Sequence, residues 1–340
     1  MSDTQRMVCM EVWGGYAAVD SSVSMSGLDA WVYSTPYGGS AEGGGDVYYV
    51  SACATGRINR LLVADVSGHG AAVTSIAAEL RTLMRRYVNY IDQTQFVRFL
   101  NHQLVELARE GMFATALATT FFAPNNVLQL CNAGHPPPLL YRAKTKTWSL
   151  LEGEEDDEQG RASPALHEGN IPLGILDIED YDQFHVTLAV GDLVLCYTDS
   201  LIETRPSPDA GPGELLGTRG LLEIARSLDV SEPGRLVPAL LDRLERLAPN
   251  NLSSDDVTVL LFRPNGTGAT VPLKRKLAAP VRVLRGLVRS LRPGGPPIPW
   301  PELTLANLGG ALINPLSHLW HGGRAKDLDG QPRTIDSRRA

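Results

Sequence analysis

Five aspartates stand where apolar runs begin or end. Asp46 follows Gly43, Gly44 and Gly45 and opens DVYYVSA (46–52); Asp65 closes the run NRLLVADV (59–66) and is followed by Val66-Ser67-Gly68-His69-Gly70. Asp199 ends LVLCYTD (193–199), and Asp255 and Asp256 precede VTVLLF. Carboxylates at the ends of hydrophobic strands can converge on one edge of a sheet, where burying them is costly unless they meet cations. An all-oxygen set of this kind suits hard cations such as Mg2+ or Mn2+. The neighbouring glycines let backbone approach a metal or a phosphate closely. Taken singly, each aspartate is equally a turn or helix-cap residue. Two histidines flank these positions, His69 in SGHG and His135 in GHPPP. Each is a candidate proton donor to a leaving serine oxygen, or a residue that fixes its loop by hydrogen bonding. Neither the GxGxxG nor the GxxxxGK[ST] fingerprint occurs, which argues against a nucleotide-binding enzyme.

The elements that position these residues follow from pattern. Strands are predicted at 30–37, 46–52, 59–66, 113–123, 127–134, 184–190, 193–199 and 257–264, with a hairpin at 139–144 and 147–153. Helices are predicted at 71–90 and 94–110 from apolar residues at helical spacing, and again at 220–228 and 235–247. The pair Gly191-Asp192 reads as the turn between two strands. Strands come in runs, two helices come together, and strands return. That order implies an α+β fold with mainly antiparallel sheets and helices grouped on outer faces, rather than a doubly wound fold. Residues 1–25 read as an N-terminal arm with one strand, 26–263 as the globular domain and 264–340 as a tail.

The 340 residues carry a net charge of -7, unevenly distributed. Residues 264–340 hold 12 Lys+Arg and 4 Asp+Glu, a net +8, which leaves the remainder at −15. An acidic body argues against a nucleic-acid partner and fits one that collects cations. Cys9, Cys53, Cys131 and Cys196 are scattered and form no CxxC, so reduced thiols in a cytoplasm are expected. Neither a signal peptide nor a transmembrane run is visible. Residues 273–292 (LKRKLAAPVRVLRGLVRSLR) align Leu277, Val281, Leu284, Val288 and Leu291 beside a row of arginines. This amphipathic basic helix suits an anionic membrane surface, at the inner face of the membrane, or an apolar patch on the body or on a partner. The acidic run at 152–158 reads as a solvated loop.

In order, the chain reads GGD, DVSGHG, FATALATTFF, NAGHPPPLLY, PLGILDIEDY, GDLVLCYTDSLIET and SSDDVTVLLF. This series, from about Gly43 to Phe262, resembles the SpoIIE/RsbU branch of the PPM metal-dependent serine/threonine phosphatases. The resemblance implies two packed antiparallel sheets flanked by helices, with a dinuclear metal site at one end. It also implies that Asp65 bridges two divalent cations, Mn2+ or Mg2+. Val66, through its carbonyl, and Asp46 would hold one; Asp199 and Asp255 would hold the other. Asp256 takes the place of Asp255 if the register slips by one. A water activated between the cations would hydrolyse phosphoserine or phosphothreonine on a regulatory protein, such as an anti-sigma-factor antagonist, with no further catalytic residue. The chain departs from the family pattern at Tyr49, where a second acid is common, and at Ser200, where glycine is common. No arginine is assigned as a phosphate clamp. The alternative is a regulatory protein that keeps the fold with weak catalysis.

Overall fold

Alternating side chains divide the long strands between different cores. The computed structural model describes residues 5–7, 12–39, 43–52, 58–68, 71–87, 93–107, 111–151, 170–177, 181–211 and 213–267. In chain order the strands begin with β1 (Gln5–Arg6), β2 (Val12–Gly15), β3 (Val19–Met25), β4 (Leu28–Thr35), β5 (Val47–Ala52) and β6 (Ile58–Val66). Helices α1 (Ala71–Tyr87) and α2 (Gln93–Leu107) follow, then β7 (Ala114–Phe122), β8 (Val127–Ala133), β9 (Leu139–Arg142), β10 (Thr147–Leu150), β11 (Phe184–Thr187) and β12 (Leu193–Tyr197). Helices α3 (Gly217–Ser227) and α4 (Pro233–Glu245) precede β13 (Val257–Pro264).

The strands form a seven-stranded sheet, β1-β3-β4-β13-β12-β9-β10, and a six-stranded sheet, β11-β8-β7-β6-β5-β2. Neighbours pair antiparallel, except that β1 runs parallel to β3. Because successive side chains point to opposite faces, each central strand serves two layers. Val63 and Leu61 of β6, Tyr48 and Val50 of β5, and Leu260 and Phe262 of β13 meet between the sheets. Leu62 and Ala64 of β6 and Ala114, Ala116 and Ala118 of β7 turn outward to Leu80, Phe96 and Leu100 of α1 and α2. Leu195 and Tyr197 of β12 and Val259 and Leu261 of β13 turn outward to Leu221, Leu240 and Leu244 of α3 and α4. The result is helix, sheet, sheet, helix. Each fully buried leucine contributes about 1.5–3 kcal/mol of transfer free energy.

This is the α+β, two-sheet architecture that the sequence implies. Residues 1–25 go beyond an arm with one strand. They supply β1, β2 and β3, and β3 pairs with β4 from Val19↔Ser34 to Met25↔Leu28. The sequence VDSSVSM hides this strand because serine fills three of its seven positions, yet Ser22 is buried beside Val23 and Met25. The Gly191-Asp192 turn also does more than reverse the chain. The buried Asp192 carboxylate accepts Arg142 Nη1 at 2.9 Å, the Ala143 amide at 2.8 Å and the Ala189 amide at 2.9 Å, and so fastens β9 to the start of β12. Cys131 and Cys196 are buried. Among the described residues no helix is long and apolar enough to cross a membrane. The acidic run, His69 and the 273–292 segment lie outside the described residues.

Candidate metal centre

Antiparallel pairing brings the start of β5 beside the end of β6, with Val47 opposite Ala64. In the other sheet the end of β12 lies beside the start of β13, with Tyr197 opposite Val259. Asp46, Asp65 and Val66 therefore sit at one end of the six-stranded sheet, and Asp199, Asp255 and Asp256 at one end of the seven-stranded sheet. A buried hydrogen bond shows that the two ends are the same end of the sandwich. Thr198 Oγ1 donates to Asp46 Oδ2 at 2.9 Å. The same hydroxyl accepts the Thr258 amide at 3.0 Å, and Thr258 Oγ1 donates to Ser34 Oγ at 2.9 Å. Asp46 thus has its backbone at the entry to one sheet and its carboxylate fastened to the other.

The aspartates act on one another through charge. Burial pushes Asp46 well above the usual carboxylate range, with Asp65 and Asp256 adding to the effect and the Thr258 and Thr198 hydroxyls opposing it. Burial likewise pushes Asp65 up to about 7, helped by the charges of Asp199, Asp255, Asp256 and Glu203. Asp199 rises to about 6, through burial and then through Glu203 and Asp255, against the opposing Ser200 amide. Glu203, four residues after Asp199, is the acid that sequence reasoning left out; its signal was the i, i+4 spacing in DSLIE. Thr198 and Thr258 were also missed, although each stands within two residues of a predicted aspartate.

The residues present fit hard cations. The donors are carboxylates and one carbonyl, and carboxylates that repel one another are stabilised by positive charge. The Val66 carbonyl is kept open by Gly45, where a Cβ would lie 3.0 Å from that oxygen and 2.9 Å from Val73 Cγ1. Among the described residues, no three acidic, histidine or cysteine side chains close tightly enough to hold an ion by themselves.

The two adjacent acids differ. Asp255 is exposed; its Oδ1 accepts the Asp256 amide at 2.8 Å, and its charge reaches Asp65 and Asp199. Asp256 is half-buried and turned toward the glycine loop, where its carboxylate accepts main-chain amides.

Ser200 needs no positive φ. It lies in a 3-10 turn, Asp199–Leu201, that serine adopts without strain. Tyr49 is fully buried between β5 and the α1–α2 layer, as an apolar element of that core. His135 is buried, and burial pushes its pKa down to about 3, opposed by the Tyr197 main chain. Its Nδ1 lies 2.8 Å from Thr115 Oγ1, and its own amide donates to Asn132 Oδ1 at 2.7 Å. Thr115 is the cross-strand partner of Asp65. His135 is therefore neutral at pH 7 and fixes its loop.

A family model described as Stage II sporulation protein E (SpoIIE) matches residues 56–265, more than half of the chain. The "Phosphoserine phosphatase RsbU" of Bacillus subtilis (strain 168) is 24% identical over 209 residues, which cover 60% of this chain and 55% of that protein. The chain thus spans just over half the length of this curated relative. Among solved structures, the RsbU and RsbW domains of Rv1364c from Mycobacterium tuberculosis superpose with a TM-score of 0.57 at 25% identity, covering 80% of this chain and 72% of that one. The PP2C phosphatase domain with a fragment of the regulatory domain of SpoIIE from Bacillus subtilis superposes with a TM-score of 0.55 at 17% identity, covering 69% of this chain and 63% of that one. The two-sheet fold, the ordered motifs and the span of the family match agree: the chain belongs to the SpoIIE family and has the PP2C-type phosphatase fold.

Proposed function

We propose that this chain is a metal-dependent phosphatase that hydrolyses phosphoserine or phosphothreonine on a regulatory protein. The main support is the meeting of strand-end aspartates from both sheets in one field of charge, Asp46 and Asp65 from one and Asp199 and Asp255 from the other. Asp65 would serve two divalent cations, Mn2+ or Mg2+. The Val66 carbonyl and Asp46 would complete one position, and Asp199 and Asp255 the other. When bound, such cations lower the pKa of a water and stabilise charge on the phosphoryl oxygens.

The chain's own part is orientation. Thr198 holds the Asp46 carboxylate, the 3-10 turn carries Asp199, and Gly45 leaves the Val66 carbonyl open. The neutral His135 is no proton reservoir at pH 7. The substrate class is supported by the relative named as a phosphoserine phosphatase. The cations are supported by RsbX, whose magnesium complex shares the fold with a TM-score of 0.50 at 17% identity. A phosphorylated anti-sigma-factor antagonist is the partner that the family resemblance implies.

Hydrolysis of p-nitrophenyl phosphate by the purified full chain tests the reading. Turnover should require added Mn2+ or Mg2+, stop with EDTA and return when the metal is restored. Turnover undiminished in EDTA would sink the two-metal reading.

A further inference from the structure

Asp255 and Asp256 stand side by side before β13, and the family pattern needs only one of them as a ligand. Asp256 Oδ1 accepts the Tyr37 amide at 2.6 Å. Asp256 Oδ2 accepts the Gly45 amide and, at 3.3 Å, the Asp46 amide. A carboxylate offers about four lone-pair sites, so these donors occupy most of them. Gly44 lies flat against the same group: a Cβ there would overlap both carboxylate oxygens and the carbon between them. The glycine loop is therefore shaped around this side chain. The Gly45 and Asp46 amides belong to the segment that delivers Asp46 and passes beside the Val66 carbonyl, whereas Asp256 precedes β13 of the opposite sheet; the Tyr37 amide follows β4, the neighbour of β13 in that same sheet. Hydrogen bonds to an ionised acceptor are about twice as strong as neutral ones, so one carboxylate can hold the loop in register.

We propose that Asp256 is a positioning residue: its carboxylate pins the 43–46 loop so that the Asp46 carboxylate and the Val66 carbonyl face the same cation. The inference rests on the metal-dependent reading and adds to it a division of labour, with Asp255 binding and Asp256 holding the loop. Asn at 256 keeps the size that Gly44 requires. It has one acceptor oxygen instead of two and turns an NH2 toward a main-chain amide, so it breaks the latch with little change in packing.

The test uses the full chain and two readouts. In EDTA, amide hydrogen exchange of D256N should show Tyr37, Gly45 and Asp46 losing their protection while the β13 amides keep theirs. In calorimetric titration, D256N should bind Mn2+ about 10–100-fold more weakly than the natural chain, as loss of an orienting partner does elsewhere. The Mn2+ needed for half-maximal turnover should rise in step, whereas D255N should stay inactive at every Mn2+ concentration. If D256N proves too unstable to titrate, Gly44→Ala displaces the carboxylate from the loop side and should weaken Mn2+ in the same way. Unchanged exchange and unchanged Mn2+ affinity would overturn the latch. So would a D256N that loses a bound ion with its loop amides still protected, because Asp256 would then be a ligand. A natural chain that binds no Mn2+ would instead overturn the metal reading itself, and the proposal with it.

Discussion

Asp65 shows how one residue ties stability to chemistry. It lies in β6 opposite Thr115, and burial with four neighbouring acids raises it from 3.8 to about 7. Asp199 rises from 3.8 to about 6. Both carboxyls hold their protons more tightly when folded than when unfolded. Between pH 4 and pH 7 the folded state therefore binds more protons, and stability falls as pH rises across that window. Without metal, the melting temperature should drop from pH 4 to pH 7 and level off above it. With saturating Mn2+ the drop should shrink, since ligand at about 100 times its Kd adds about 2.7 kcal/mol. A metal-free protein that gains stability over this range would refute the reading of these carboxyls. Asp65→Asn should abolish Mn2+-dependent turnover, because an amide cannot supply the bridging charge. It should also flatten the pH dependence in EDTA without lowering the melting temperature at pH 8; full turnover in this variant would remove Asp65 from the bridge. The strand-end aspartates were legible in the sequence because long apolar runs mark them. Asp255 and Asp256 were not separable, because both precede the same strand. The difference lies in contacts with Gly45 and Asp46, more than 200 positions away.

Elements were legible where periodicity was strong. Helices α1 and α2 and the apolar strands β6, β12 and β13 fall close to their predicted bounds. β2 and β3 were hidden for a physical reason: VWGG and VDSSVSM are short or serine-rich, and they become strands by pairing with β5 and β4. The same limit applies to the turn before β12. Gly-Asp marks a turn in any sequence, but only the fold brings Arg142 and two amides around Asp192. Asp192→Ala would take the carboxylate from the half-buried Arg142, whose Nη1 also donates to the Thr187 carbonyl, and leave two amides without this acceptor. Removing one partner of a buried pair costs about 3–5 kcal/mol. Because the Arg142 side chain keeps 21% exposure, the lower end of that range is expected. Urea denaturation of the metal-free protein measures it; a loss under about 1 kcal/mol, the size of an exposed ion pair, would mean that Asp192 does little more than terminate a turn. Mn2+ affinity should change little, because this latch lies at the far end of β12 from Asp199.

At the scale of the whole molecule, charge separates an acidic body from a basic tail, −15 against +8. The body ends with identifiable fasteners. Asn265 Nδ2 donates to the Met25 carbonyl and to Asp29 Oδ1, both at 3.0 Å, and the Gly27 amide donates to Thr267 Oγ1 at 3.3 Å. A chain ended just after Thr267 keeps these contacts and all the proposed metal ligands. It should therefore fold, bind Mn2+ and hydrolyse a small phosphate ester as the full chain does. The 273–292 segment, outside the described residues, carries Arg282, Arg285, Arg289 and Arg292 beside its apolar row. Each basic residue near an anionic bilayer contributes about 1 kcal/mol. Full-length protein should sediment with phosphatidylserine vesicles at low salt and release as salt rises, because the attraction is screened beyond about 10 Å at 0.1 M. The shortened chain should remain in the supernatant. If instead the shortened chain melts far earlier or aggregates, the apolar row covers part of the body, and the tail is structural. Full-length protein that ignores anionic vesicles at low salt would defeat the membrane reading outright, and the excess of arginine would then have to answer to an acidic protein partner.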